Sequence, residues 1–285
     1  MKLMPFPEKI NGQYDFLELL ILPPNSKAKM IFEELLNPSA DLHLIQTLIE
    51  AGANLDYKEP FKVNDTHLNL NVVHCACFMD NIEAIKLFIN GGANINSRDE
   101  HGNTPLIYAV KKESLEIVKY LIKSGANVNI ENNFKETSIF YSIRPSRTEI
   151  LKLLIKAKAN LNQQNEDGFS PLHIAVDYDL EHIVELLIKK GANIDIRSKL
   201  GLTPLHLAAL DEFCDVAYTL LWYGANTHIQ DYEGDTPLHI AHDNCSEITI
   251  QHLLDFEADI TIKNNKGISY ADVMKYDLND DNIDE

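Results

Sequence analysis

No apolar run in this chain approaches the ~18 residues a membrane-spanning helix needs. The start, Met1 to Pro7, places two prolines where a cleavable signal would carry its apolar core. A chain that stays inside the cell, in the cytoplasm, is therefore expected. Positive charge is also scarce: 25 Lys and Arg stand against 43 Asp and Glu, a formal charge of −18. Nucleic acid and anionic membranes both demand a cationic face, so neither is expected as a partner. Catalytic signatures are missing too. There is no G-x-x-x-x-G-K-[ST], no G-x-S-x-G and no H-E-x-x-H, and the carboxylates are spread as on a solvated surface. No enzyme, cofactor or metal is expected. Cys75, Cys77, Cys214 and Cys245 follow no fixed spacing, and the C-x-C of Cys75-Ala76-Cys77 has no second cysteine pair nearby, so all four read as reduced, buried thiols.

What is present is repetition. In Gly201-Leu202-Thr203-Pro204-Leu205-His206-Leu207-Ala208-Ala209, Thr203 can accept the first free amide hydrogens of a helix. Pro204 stands where a missing N–H costs nothing. Steps of 33 from Ala208 reach Ala76, Ala109, Ser142, Ala175, Ala241 and Met274, so six of the seven registers hold a small residue. A second marker keeps the same interval: Gly92-Ala93-Asn94, Gly125-Ala126-Asn127, Lys158-Ala159-Asn160, Gly191-Ala192-Asn193, Gly224-Ala225-Asn226 and Glu257-Ala258-Asp259. Gly52-Ala53-Asn54 precedes them by 40 instead. Glycine just past an apolar helical stretch supplies a left-handed cap. Each unit is thus predicted to be helix, turn, helix and a short extended loop. The second helices show apolar residues at helical spacing, as in Ile117, Val118, Leu121 and Ile122.

A 33-residue period with T-P-L-H and G-A-N elements resembles the ankyrin repeat over roughly residues 24–276. The resemblance implies an all-α, ankyrin-type solenoid of about seven helix-turn-helix repeats with hairpin loops. Around it stand an N-terminal helical cap over residues 1–23 and an acidic tail over 277–285. It also implies a structural duty for His74, His173, His206 and His239, whose imidazoles would bond backbone groups between neighbouring hairpins. His239, His242 and His252 could be imagined on a zinc ion, but no fourth ligand is evident.

Three places depart from the frame. Before the first repeat, Tyr14 to Leu22 reads as a covering helix, stopped by Pro23-Pro24, with Ser26 as the cap of the next helix and Leu36 in the small-residue slot. Seven extra residues enter within Asp56 to Leu70, either as a tolerated loop or as a finger that touches a partner. Repeat four carries Lys135 for the turn glycine, Ser138 for proline, Lys158 for the capping glycine, and Arg144-Pro145 at the end of its first helix. It is expected to be the weakest internal repeat.

The family resemblance implies that hairpin tips and the exposed sides of first helices line a concave face where a partner protein binds. On this chain those slots hold Arg98, Lys111 and Lys112, then Phe134 and Arg144. Phe169, Tyr178, Arg197, Lys199, Leu200, Leu202 and Tyr232 follow. Large apolar groups on slots that need not be buried tend to mark partner sites, and three of the four arginines of an acidic chain fall there too. A monomeric scaffold or adaptor for a partner protein is the expected function. The plentiful Asn, Ile and Lys suggest an AT-rich genome, which raises a second possibility: an effector that an intracellular microbe delivers to the host cytosol. An enzyme or ligand sensor built on the irregular N-terminal region is the remote third, because some 40 residues are too few for a catalytic domain.

Overall fold

In the computed structural model the described residues are 16–37, 39–63, 66–211, 213–244 and 246–274. The start of the expected N-terminal helix, Cys245 and the acidic tail at 277–285 lie outside them. The chain divides between Asn133 and Phe134 into two compact units.

The first unit opens with α1 (Phe16–Ile21), α2 (Pro24–Leu35) and α3 (Leu42–Glu50). Leu19, Ile31, Ile45 and Leu48 are fully buried. Pro23 and Pro24 do more than stop α1: Pro23 is the N-cap of α2 and Pro24 its first residue, so Ser26 lies within the helix and is not its cap. The longer helix leaves Leu36 exposed at its C-cap, away from the small-residue slot. Lys27 is almost fully buried, and its ammonium donates to the Ala51 and Leu20 carbonyls at the ends of two helices.

The seven-residue insertion is an antiparallel ribbon, β1 (Glu59–Val63) and β2 (Thr66–Leu70), in the register Phe61 opposite Leu68. Phe61 packs edge-on against Phe78 with ring centroids 5.8 Å apart, and Leu70 is fully buried. The ribbon is thus anchored on α4 (Val72–Phe78). Its flanks reach the next hairpin, where Lys58 Nζ donates to the Arg98 carbonyl at 2.7 Å and Asn69 Nδ2 to Glu100 at 3.0 Å. The unit continues through α5 (Ile82–Asn90), α6 (Pro105–Lys111) and α7 (Leu115–Lys123). Burial raises the pKa values of both Cys75 and Cys77, as fits inert packed thiols.

The second unit holds α8 (Thr148–Lys156), then the pairs α9 (Pro171–Asp177) with α10 (Glu181–Lys189), α11 (Pro204–Leu210) with α12 (Cys214–Trp222), and α13 (Pro237–Asp243) with α14 (Glu247–Asp255). Proline stands first in α9, α11 and α13, and the hydroxyls of Ser170 and Thr203 accept from the His173 and His206 amides. The rows Ile183, Val184 and Leu187 of α10 and Val216, Ala217 and Leu220 of α12 are buried where these helices pack together. The marker slots adopt positive φ with or without glycine: Gly191 at 95°, Gly224 at 88°, Lys158 at 67° and Glu257 at 60°.

Repeat four is the exception. Two 3-10 turns, Phe140–Ser142 and Pro145–Arg147, replace its first helix. Proline disfavours helical geometry in the residue before it, and Arg144 is extended, with φ −154° and ψ 146°.

Candidate partner-binding face

Hairpin tips in the second unit are laced to one another through the backbone. The Glu166 amide donates to the Phe134 carbonyl at 3.0 Å, Lys199 to Asp167 at 3.0 Å, Tyr232 to Leu200 at 3.1 Å and Asn265 to Glu233 at 3.1 Å. This ladder fixes the spacing of side chains at the tips. Gly168 shows how tight it is: a Cβ there would come 2.5 Å from the Lys199 amide nitrogen, at φ 80°. The side chains the ladder carries are large and open to solvent, Phe134 at 51%, Leu200 at 66% and Tyr232 at 65%. Phe169 is only half-buried, because its ring leans on His173 at 5.4 Å, and Leu202 is half-buried beside it. Lys199 is exposed.

The frame histidines tie successive repeats. Nδ1 of His173, His206 and His239 accepts from the backbone N–H of Ser170, Thr203 and Thr236, each at 3.1 Å. That assigns the proton to Nε2, which donates to the Leu202, Asp235 and Ile268 carbonyls of the next hairpins, again at 3.1 Å. In the first unit His74 Nε2 also lies 3.0 Å from the Asn103 carbonyl, but its Nδ1 faces the Asn71 side-chain oxygen at 2.6 Å in place of a backbone N–H. Burial lowers the pKa of His74, His173 and His206 to about 4, so all three are neutral at pH 7. In the same register at the end of the described residues, Asp272 replaces the imidazole and accepts from both the amide and the hydroxyl of Ser269. His242 and His252 serve other contacts, the Tyr270 and Tyr218 rings. Among the described residues no group of three His, Cys, Asp or Glu could hold a metal ion.

The arginines do not share one role. Arg197 occupies the slot that Gln164 and Gln230 fill in neighbouring repeats. Like them it bridges hairpins, with Nε on the Gly201 carbonyl at 3.2 Å and Nη2 on the Gln230 carbonyl at 2.8 Å. Its guanidinium also lies 5.3 Å from the Tyr232 ring centroid. Arg98, in the same slot of the first unit, bonds the Gly102 carbonyl. Arg144 bonds no hairpin carbonyl among the described residues. It lies face-on over Tyr178, 4.0 Å from the ring centroid, with Nη2 on the Tyr178 hydroxyl at 3.3 Å. The other first-unit positions, Lys111 and Lys112, are exposed, and Lys112 Nζ stands 5.5 Å from the Phe78 ring.

One pocket opens beside Arg144, about 150 Å³ in volume, lined by Glu136, Phe140, Tyr141, Arg144, Arg147, Ile174 and Tyr178. Sequence reasoning passed over Tyr141, Arg147 and Ile174. The signal that could have found them is the Arg144-Pro145-Ser146-Arg147 break in the frame.

A family model for ankyrin repeats (three copies) matches residues 37–132, 124–198 and 179–264. The fold is similar to that of the ankyrin repeat domain of Bcl-3, described as a unique member of the IkappaB protein family. There the TM-score is 0.69 and the identity 23%, over 79% of this chain and 97% of that one. An ankyrin repeat domain from Acinetobacter baumannii AYE is similar at a TM-score of 0.62 and 28% identity, over 66% of this chain and 98% of that one. No curated protein matches by sequence.

Proposed function

The chain belongs to the ankyrin repeat family, and on that premise we propose that it binds a partner protein through the hairpin tips and first-helix ends of its second unit, the side that forms the concave face in this family. Ankyrin repeat domains are protein-interaction modules. The observation that carries the assignment is the solvent-exposed Phe134, Leu200 and Tyr232 on a backbone ladder, with exposed Tyr178 at a first-helix end and a guanidinium over each tyrosine. Aromatic and arginine side chains already held in place lose little entropy on binding, and such residues dominate interface energetics. The role is that of a binding scaffold and not of an enzyme. The effector alternative would use the same face, so the same variants test it.

The test compares faces. With a partner in hand, Phe134→Ala, Tyr178→Ala, Arg144→Ala and Arg197→Gln are measured against Lys152→Ala and Lys189→Ala on second helices. Glutamine keeps the hairpin bridge at position 197, as Gln164 and Gln230 show, and removes only the charge. At least one front-face change should weaken binding by ~2 kcal/mol or more while both lysine changes stay near neutral. Silent front-face changes with damaging lysine changes would refute the assignment and turn attention to the ribbon at Glu59–Leu70.

A further inference from the structure

Where the first helix of repeat four is lost, the chain opens a pocket lined by two arginines. The protein carries a net charge of −18 and four arginines, yet two of the four, Arg144 and Arg147, line this one pocket. The single carboxylate in the lining, Glu136, accepts from the Tyr141 hydroxyl at 2.5 Å. Arg147 Nη1 donates to the Tyr141 carbonyl at 2.6 Å. Two guanidinium groups against one carboxylate leave the lining with one net positive charge. Phe140, Ile174 and the Tyr141 and Tyr178 rings supply apolar wall.

The Arg144 guanidinium is the group aimed at a ligand. It is exposed, its hydrogen bond is to Tyr178, and no acid pairs with it among the described residues. Stacking on Tyr178 fixes its plane while leaving in-plane N–H groups at its edge, the geometry that takes a carboxylate bidentately. An engineered apolar cavity of about 150 Å³ accepts a benzene ring, so this pocket has room for a side chain of two methylenes and a carboxylate. A dianionic phosphate is less well matched, because Glu136 would face it with only one net positive charge to offset two negative ones.

We propose that this pocket is an acidic-residue subsite, taking the carboxylate of a glutamate or aspartate side chain of the partner on Arg144 with its methylenes against Phe140 and Ile174. This deepens the assignment of the binding face and names the chemistry of what docks there. It also accounts for the break in the frame: Pro145 removes a helical turn, and the pocket stands in the space.

The test needs no partner. Four arginines give four side-chain Nε–Hε signals in a nitrogen–proton NMR spectrum, so each can be followed separately. Titration of the full chain with N-acetylglutamate N-methylamide should shift the Arg144 signal saturably in the millimolar range and leave Arg98 in place. The neutral N-acetylglutamine N-methylamide should do neither. Ile174→Phe, which fills the pocket and keeps the charges, should abolish the Arg144 response, while an unmoved Arg197 signal reports that the hairpins are intact. Arg144→Gln should weaken any response of Arg147 at least tenfold. An Arg144 signal that does not move, or moves equally with the glutamine compound, would overturn the subsite. A tighter response to inorganic phosphate than to the glutamate compound would overturn the carboxylate assignment. Failure here leaves the face itself untouched, since the alanine comparison above judges that separately.

Discussion

Repeat six and repeat four stand in one unit on one 33-residue frame, yet only the first begins with a helix. In repeat six, Thr203 caps, Pro204 starts α11 and His206 ties the cap to the next hairpin. In repeat four the same registers hold Thr137, Ser138 and Phe140, and Pro145 follows at the far end. Proline at the start and histidine at the third position are missing, while proline has been added where it disfavours helical geometry in Arg144. The chain answers with two 3-10 turns. The second helices hardly notice: α8 and α12 are each nine residues long, with Ile150, Leu151 and Leu154 buried in α8 as Val216, Ala217 and Leu220 are in α12. Second helices are held by packing between repeats. First helices this short depend on their caps, because seven residues are far below the length at which a helix stands alone.

The largest expected break in the comparison is by acid. His74, His173 and His206 have folded-state pKa values of about 4, below the ordinary 6.5, because burial disfavours the imidazolium. Between these values the unfolded chain binds more protons than the folded one, so stability falls as pH falls. The contribution is fully present above pH 6.5 and is lost on the way down to 4, by up to roughly 3 kcal/mol per histidine. Denaturant midpoints measured from pH 7.5 to 4.5 should therefore decline, and the slope should flatten in His173→Asn/His206→Asn. Repeat four, with Phe140 in the slot, contributes nothing to that slope.

A smaller effect follows from removing one tie. His206→Ala strands the Asp235 carbonyl and the Thr203 amide, and should cost about 1–3 kcal/mol of unfolding free energy. Affinity for a partner, measured well below the melting temperature, should hardly change, since the ring is buried behind the face. A large affinity loss with unchanged melting would show that the frame histidines do more than hold the stack.

The sharpest comparison is one substitution made twice. The Thr203 hydroxyl accepts from the His206 amide and bonds the His206 ring at 2.7 Å, so Thr203→Val should cost about 1–2 kcal/mol. The Thr137 hydroxyl, fully buried in the same register of repeat four, has no hydrogen-bond partner among the described residues. Thr137→Val should therefore raise stability by about 1 kcal/mol, because the unmet hydroxyl is replaced by a methyl of similar size. Thermal melts of the two variants read opposite signs if the contrast is right.

Much of this was legible in the sequence because it recurs. The markers ending second helices, the Thr-Pro starts and the shared histidine slot follow from local backbone chemistry, and the break in the frame at Arg144-Pro145 was visible as a defect. The ribbon was not. Pro60 within its first strand and the lack of an Asn-Gly turn hide a hairpin, and its stability comes from Phe61 on Phe78, a contact no local pattern encodes. The division of labour between Arg197 and Arg144 was also out of reach. Exposure and residue type are the same for both, and only hydrogen-bond geometry shows that one bridges hairpins while the other faces a pocket.

The most direct measurement of the functional claim is site-specific photocrosslinking in intact cells. A benzoylphenylalanine placed at Phe134 or Leu200 on the front face, and at Lys152 or Lys189 on second helices, asks which side a partner touches. The account predicts discrete adducts from Phe134 and Leu200, lost when Arg144→Ala and Tyr178→Ala are added, and none from the lysine positions. Adducts from Lys152 or Lys189 with none from either front-face position would contradict it.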